Sequence, residues 1–219
     1  MMKTPSSGAA VFHEPRWPAI VALLAVGGIY TALPEYLVMG PGWLVLVAVS
    51  ALLVPLLISH YIGRDRLNRV LGYIVNGIIT IALIFSLFLL IKALPQHKES
   101  ATELLRSAGL LWITNVVVFS LWYWRLDAGG PHRRDRRDVH AEGSFLFPQM
   151  TQYRGDLSSR TRWAPQFIDY LFIAFNTSTA FSPTDTPVLS RWAKILTMIQ
   201  ALISLVIVAL LVSRAIGLL

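Results

Sequence analysis

Four consecutive polar side chains interrupt an otherwise apolar stretch at 167–181: Asn176, Thr177, Ser178 and Thr179. Within a lipid bilayer, polar groups are costly unless other protein groups or a water-filled cavity partner them. Amide and hydroxyl groups at that depth either hydrogen-bond a neighbouring helix or line a route for an ion or a small solute. The sequence therefore predicts that this run faces protein or a pore and not lipid tails.

The last apolar segment carries a second polar stripe. Lys194, Thr197, Gln200 and Ser204 recur at spacings of three, three and four, which places them on one face of a helix. Because helices joined by a short turn are antiparallel neighbours, we expect this stripe to meet the 176–179 run. Interhelical hydrogen bonds contribute about 0.6–2 kcal/mol each. Two interpretations stay open, namely polar contacts that only lock helices together, or a pathway lined by Asn176, Thr177, Ser178, Thr179, Gln200 and Ser204.

Two carboxylates flank the first polar run. Asp169 lies near the start of its helix, and Asp185 lies in the turn 182–187 that follows. An ionisable residue in a membrane segment indicates function by default, so both are assigned to the mouths of the pathway. For Asp169, an ion pair or an interaction with the helix dipole is an equal alternative.

Thr186 before Pro187 resembles a helix N-cap, which predicts that the last helix begins near 187.

Signatures of catalysis and of bound cofactors are missing from the sequence. The chain has no cysteine, no HExxH, no GxSxG, no P-loop and no Gly-rich dinucleotide fingerprint. Four of the five histidines lie in predicted loops or tails, and no two stand on facing helices as a bis-histidine haem site requires. We therefore expect no enzyme, no metal site and no cofactor.

The elements that position these residues are long apolar blocks. Hydrophobic residues make up 55% of the 219 and charged residues 14%, against about 25% charged in a soluble domain. Each block is near or above the roughly 20 residues that cross a bilayer. The fold class is thus an all-α integral membrane bundle with six transmembrane helices, or with five and a re-entrant segment at 166–184. The other predicted spans are 17–33, 43–62, 70–94, 108–126 and 192–219.

The distribution of basic residues predicts the orientation, because short loops rich in Lys and Arg stay in the cytoplasm. A cytoplasmic N-terminus places thirteen of the first sixteen basic residues inside. The predicted regions are a cytoplasmic arm at 1–16, four helices at 17–126, a basic cytoplasmic loop at 127–164 and a helix pair at 165–219. The charge count does not decide whether 166–184 crosses the membrane or returns. Crossing is preferred, since a hydrogen-bonded helix needs no special cavity for its backbone, and it places both termini inside.

The net charge of +7 is explained by this topology and not by nucleic-acid binding. The charge run at 132–138 is interpreted as a solvated retention signal whose residues 133–137 attract anionic lipid headgroups. The apolar residues Phe145, Leu146 and Phe147 are expected to insert at the interface or to cap the floor of the bundle. Membrane lipid is therefore the expected partner, and a homo-oligomer is left open.

The C-terminal third resembles two kinds of membrane protein. The stretch from Phe167 to Asp185, with the following Gln200 and Ser204, is similar to an uncharacterised family of bacterial multi-pass membrane proteins, which brings no activity. It also resembles, more faintly, the pore loop and inner helix of potassium-type channels, which places Thr177–Thr179 where those channels have filter threonines. No glycine occurs from 176 to 187, so a hydroxyl-lined pathway is expected in place of a carbonyl filter.

These patterns together favour a multi-pass protein of the bacterial cytoplasmic membrane that acts as a channel or transporter for an ion or small solute. The alternative is a membrane scaffold or accessory subunit in which the same polar groups only join helices.

Overall fold

Eight α-helices build the chain in a computed structural model that describes residues 14–93, 100–136, 143–152, 163–179 and 186–216. No strand is present in those ranges, apart from one isolated β-bridge. Two short 3₁₀ turns lie at Glu35–Leu37 and Asp127–Gly129. The helices are α1 (Trp17–Ala32), α2 (Trp43–Tyr61), α3 (Asp65–Ala93), α4 (Ala101–Leu126), α5 (Pro131–Asp135), α6 (Pro148–Gln152), α7 (Phe167–Thr179) and α8 (Arg191–Ile216).

Four of these helices are long and apolar enough to cross a membrane, namely α2, α3, α4 and α8. The apolar helix α1 is shorter, at 16 residues. Each coincides with a predicted span, so the prediction of an all-helical chain with several helices long and apolar enough to cross a membrane is confirmed. The predicted six crossings are not confirmed, because the described part of α7 has only 13 residues.

Helix α4 forms the centre of the bundle. It packs against α1, α3, α7 and α8. Its most apolar window is 61% buried, whereas that of α8 is only 17% buried. Helix α8 therefore presents most of its apolar surface, including Met198, Leu202 and Leu205, to the outside of the chain.

Helix α7 runs antiparallel to α4. At the C-terminal end of α4, Phe167 packs edge-on against Trp124, with ring centroids 6.0 Å apart. Near the middle of α4, Trp112 Nε1 donates to the carbonyl of Ser178 at 3.4 Å. The start of α7 thus lies at the end of α4.

Helix α8 also runs antiparallel to α4. Its first turn lies at the end of α4, because Trp192 packs on Phe145 (6.3 Å), which itself packs on Tyr123 (5.2 Å). Further along, Asn115 Nδ2 donates to Ser204 Oγ at 2.9 Å. Helices α7 and α8 are consequently parallel, and the expectation that they form an antiparallel pair is wrong.

The start of α8 also differs from the prediction. It begins at Arg191, with Ser190 Oγ accepting from the N–H of Ala193 at 3.4 Å, so Ser190 and not Thr186 is the N-cap. The preceding residues are held by pairing with the loop after α4. The N–H of Leu146 donates to the carbonyl of Pro187 at 2.9 Å, and that of Leu189 to the carbonyl of Ser144 at 2.7 Å.

Phe145 and Phe147 are fully buried beside that pairing. Both rings pack on Tyr170, at 6.1 and 5.6 Å. This loop therefore caps one end of the bundle, which is one of the two positions expected for it.

Candidate functional site

The polar run at the end of α7 stops halfway along the bundle. Thirteen helical residues extend about 20 Å, and Trp112, which contacts both Phe175 and Ser178, lies about 21 Å from the C-terminal end of α4. At Pro187 and Leu189 the chain is back at the end of the bundle where α7 began. The C-terminal end of α7 therefore lies near the middle of the apolar layer formed by α4 and α8.

Three of the predicted site residues meet in one buried cluster. Gln200 Nε2 donates to Ser178 Oγ and to the carbonyl of Ala174, both at 2.7 Å. Its Oε1 accepts the hydroxyl of Tyr123. Ser204 joins through Asn115, whose Nδ2 also approaches the carbonyl of Gln200 at 3.3 Å.

All of these side chains are buried, and they join α4, α7 and α8 through hydrogen bonds. The predicted contact between the two polar runs thus exists, through Ser178 alone of the four residues in the first run. Such a cluster matches the interpretation in which polar groups hold helices together.

Asn176 and Thr179 stay outside this cluster, and Thr177 lies at its edge, beside the hydroxyl of Tyr123. Asn176, Thr177 and Thr179 are half-buried. Thr177 Oγ1 donates to the carbonyl of Ile173 at 2.8 Å, and Thr179 Oγ1 to that of Asn176 at 3.0 Å, both within α7. Both hydroxyls donate within their own helix, and the oxygen of Thr177 also lies beside the hydroxyl of Tyr123. A hydroxyl oxygen has two acceptor lone pairs, so Thr179 can still accept at mid-depth.

On α8, the outer part of the predicted stripe does not turn inward. Lys194 is exposed, and Thr197 donates to the carbonyl of Lys194 at 2.9 Å. Only Gln200 and Ser204 of the four reach the core.

The structure describes only one of the two residues predicted at the mouths of the pathway. Asp169 Oδ2 accepts the N–H of Gln166 at 2.7 Å, so the carboxylate caps the first turn of α7 and lies beside its helix dipole. Asp185 lies outside the described residues.

A network of charged groups at the end of the bundle was missed by the sequence analysis. Glu14 is buried and accepts from Arg134 Nη2 at 2.9 Å, from Arg16 Nη1 at 3.2 Å and from Trp124 Nε1. Arg134 is also buried, and its Nη1 donates to the carbonyls of Trp124 and Asp127 at 2.8 and 3.0 Å. The N-terminal arm is thereby joined to α4 and α5.

Asp127 extends the same network toward α7. It is fully buried and accepts the Tyr170 hydroxyl at 2.7 Å and the N–H of Ser144. The guanidinium of Arg134 lies 5.1 Å from the Tyr170 ring centroid. The network therefore fixes the first turn of α7 and the capping loop relative to the end of α4.

The expectation of a solvated charge run is wrong at Arg134, which is buried among these partners. Arg133 and Arg136 are exposed, as expected, and Arg136 pairs with Asp65. The sequence carried one weak signal for this outcome, since the only acidic residue of the arm, Glu14, stands two positions from Arg16 at the boundary of the first span.

Burial perturbs the pKa values of Arg16 and His132 in this region. Burial lowers the pKa of Arg16, against the opposing effect of Asp135 and Glu14. Burial and the charge of Arg16 lower the pKa of His132 to about 4, although Asp65 acts in the opposite direction. His132 is therefore neutral at pH 7. In the ranges that the structure describes, no three His, Asp or Glu side chains are grouped so as to hold a metal ion.

Comparison with known proteins finds no matching family model, no similar curated protein and no similar solved structure. The resemblances drawn from the C-terminal third therefore stay predictions.

Proposed function

We propose that the chain is a protein of the bacterial cytoplasmic membrane, with five crossing helices (α1, α2, α3, α4 and α8) and a re-entrant α7, and that it conducts a cation. The observation that carries the proposal is the position of Ser178 beside Trp112, at the midpoint of α4, with α8 starting again at the end where α7 began. With the N-terminus in the cytoplasm, α7 enters from the cytoplasmic side and the end of α8 lies outside.

A helix that ends at mid-depth has a chemical consequence. The helix dipole places about half a negative charge at that end. Among the last carbonyls, that of Ser178 accepts from Trp112 Nε1 and that of Asn176 accepts from Thr179 Oγ1. Backbone that leaves a helix at this depth is tolerated where protein buries it or where it lines a water-filled cavity. Half-helix C-termini of this kind bind cations in transporters. The hydroxyl oxygens of Thr177 and Thr179 add acceptors at the same level.

The order of crossing helix, half-helix and crossing helix in α4, α7 and α8 is the order found in potassium-type channels. The half-helix of those channels enters from the opposite side of the membrane, whereas α7 enters from the cytoplasmic side. Asn176 and Thr177 are only half-buried by their own chain. The proposed pathway therefore runs between copies of the chain, in a homo-oligomer, with Asn176, Thr177 and Thr179 along it and Asp169 near its cytoplasmic end.

A scaffold or accessory subunit is the second candidate. The observation that favours it is the closed set of hydrogen bonds among Gln200, Ser178 and Tyr123, which accounts for three buried polar groups without any permeant species.

Ion flux distinguishes the two functions. Potassium-loaded liposomes that contain the purified protein should release potassium faster than potassium-loaded liposomes without protein. Chloride release should be the same in both. Thr177→Val should lower the flux about tenfold, the effect of losing a ligand that contributes about 1.4 kcal/mol. The matched control is Thr197→Val, which removes the same hydroxyl from the outer part of α8 and should leave the flux unchanged. Cooperative unfolding on heating shows that the wild-type protein is folded. If such folded protein gives no flux, the conducting function is overturned and the scaffold function remains.

A further inference from the structure

A small cavity lies among α1, α2, α3, α4 and α5, away from α7. Its volume is about 30 Å³, enough for about two water molecules, and it opens partly to the surface. Arg16, His60, Asn68, Arg125 and His132 form its polar side. Among the described residues that line it, none is acidic.

Arg125 is the unusual member of this lining. Its side chain is buried, with the residue only 5% exposed, and its Nε has no hydrogen-bond partner. Within the described ranges no carboxylate pairs with it. The guanidinium packs against the backbone of α3 at Gly72, where a Cβ would lie 1.8 Å from Nη1. A buried cation without a counter-charge is costly, so the site is incomplete as a structural element.

The neighbouring cation does not share this problem. Arg16 pairs with Glu14 and Asp135. Both guanidinium groups flank the Trp124 ring, with Cζ atoms 5.7 Å (Arg16) and 5.3 Å (Arg125) from its centroid. The uncompensated positive charge of the cavity therefore belongs to Arg125.

The two histidines complete the polar side. Their rings lie 5.1 Å apart. His132 bonds to Asn68 Oδ1 at 3.1 Å and lies 3.5 Å from Asp65. His60 is half-buried at the cavity wall.

The cavity has a definite depth in the bundle. Arg16 precedes the first residue of α1, His60 is in the last turn of α2, Asn68 is in the first turn of α3, and Arg125 is in the last turn of α4. In the proposed topology all four positions lie at the cytoplasmic boundary, where lipid phosphates lie.

The opposite wall is apolar. It consists of side chains from α1 and α2, including Ile20, Leu23 and Leu57, and it leads from the boundary into the bundle. The cavity thus has a cationic end at the level of the lipid headgroups and an apolar end nearer the centre of the bilayer.

We propose that this cavity binds a phosphate group, held by the guanidinium of Arg125. A guanidinium presents two parallel N–H donors that fit two phosphate oxygens, and basic pockets between helices on the cytoplasmic side hold lipid headgroups. The phosphate belongs either to an anionic lipid, whose glycerol and first methylene groups cover the apolar wall, or to a free phosphate ion. Binding supplies the counter-charge that Arg125 lacks.

Binding of phosphatidylglycerol, measured by native mass spectrometry and by thermal unfolding in nanodiscs, tests the proposal independently of ion flux. Nanodiscs of phosphatidylcholine alone and of an equal mixture with phosphatidylglycerol are compared, and inorganic phosphate is added to the phosphatidylcholine discs in a third arm. Arg125→Gln should lower the affinity for the effective ligand about tenfold. The matched control Arg191→Gln removes an exposed arginine at the start of α8, outside the cavity lining, and should change the affinity by less than about twofold.

Stabilisation by phosphatidylglycerol alone identifies a lipid phosphate, and equal stabilisation by inorganic phosphate identifies the free ion. Either result supports the site if the stabilisation by that ligand is lost in Arg125→Gln. A second variant, Leu57→Phe, fills the cavity and keeps Arg125, and it should lose the same binding even if Arg125→Gln fails to fold. The proposal is overturned if neither ligand stabilises the wild type, if Leu57→Phe binds as the wild type does, or if Arg191→Gln loses as much binding as Arg125→Gln.

Discussion

Val188 and Phe145 face each other in an isolated antiparallel bridge, flanked by the hydrogen bonds from Leu146 to Pro187 and from Leu189 to Ser144. Ser144 in turn bonds to Asp127, directly after α4. The residues just before α8 are therefore held at the end of α4. Helix α8 can cross the bundle only away from that end, which is the geometric basis for the proposed re-entrant α7.

Cysteine labelling gives a direct prediction from this geometry. The chain has no cysteine, so Leu189→Cys, His140→Cys and Leu219→Cys can each be probed with a membrane-impermeant maleimide without background. With a re-entrant α7, Leu189→Cys and His140→Cys share the cytoplasmic side, and Leu219→Cys is labelled from outside. Labelling of intact spheroplasts and of inverted vesicles checks this distribution.

Met39→Cys provides the external reference, because Met39 is exposed in the loop between α1 and α2. Six crossings would give the reverse pattern, with Leu189→Cys labelled from outside together with Met39→Cys, and Leu219→Cys protected. That outcome would remove the basis for a half-helix at mid-depth.

Gln200→Leu is expected to destabilise the bundle. The change removes both donors to α7 and leaves the buried Tyr123 hydroxyl without its acceptor, so the free energy of unfolding should fall by about 1–3 kcal/mol. Thermal unfolding in detergent measures the effect. Thr197→Val, whose hydroxyl only bonds its own helix, should change stability by less than about 0.5 kcal/mol. Equal effects of the two variants would show that the cluster does not hold the helices together.

Composition and apolar length were sufficient to predict the long helices, because each crossing segment needs about 20 apolar residues whatever its partners. The contact between Gln200 and the polar run was predictable for a similar reason, since buried polar groups need partners. The direction of α7 was not predictable. Charge counting cannot distinguish a segment that crosses from one that returns when few basic residues follow it.

The buried charges at the end of the bundle were beyond sequence reasoning for a different reason. Arg134 and Arg136 occupy similar positions in one charge run, yet one is buried against Glu14 and the other is exposed. Their difference arises from tertiary contacts with an arm some 120 residues earlier in the chain. Periodicity within the run carries no information about that partner.

Gly72→Ala should be destabilising because of Arg125. A Cβ at Gly72 would lie 1.8 Å from Nη1 and 2.1 Å from Cζ of Arg125, so the buried guanidinium must move. Overpacking of this kind costs about 1–3 kcal/mol. Thermal unfolding of the single variants and of the Gly72→Ala/Arg125→Gln double variant forms a cycle in which the shorter glutamine should relieve most of the cost.

Gly77→Ala is the matched control for that cycle. Gly77 lies in the same helix, and a Cβ there meets nothing within 4 Å. The substitution should be neutral or stabilising by up to about 1 kcal/mol, because alanine favours the helix over glycine. If the two substitutions have the same effect on stability, the contact with Arg125 is not the reason that position 72 requires glycine.

His132 makes stability depend on pH in a direction set by its lowered pKa. Burial and the nearby Arg16 hold that pKa at about 4 in the folded chain, against 6.5 when the ring is free in water. Between these values the unfolded chain binds a proton that the folded chain does not, so stability rises with pH across this window. The contribution is complete above pH 6.5 and is lost progressively as the pH falls toward 4.

Thermal unfolding of the wild type and of His132→Gln between about pH 7 and pH 5 measures this contribution. Glutamine can still donate toward Asn68 but does not titrate, so the variant should lose less stability than the wild type over that interval. The facing groups Asp65, Arg16 and His60 are unchanged in both proteins, and their own effects on the pH profile remain in both curves. Parallel curves would mean that the ring is protonated equally in the folded and unfolded chains, and that burial and the charge of Arg16 do not keep it neutral.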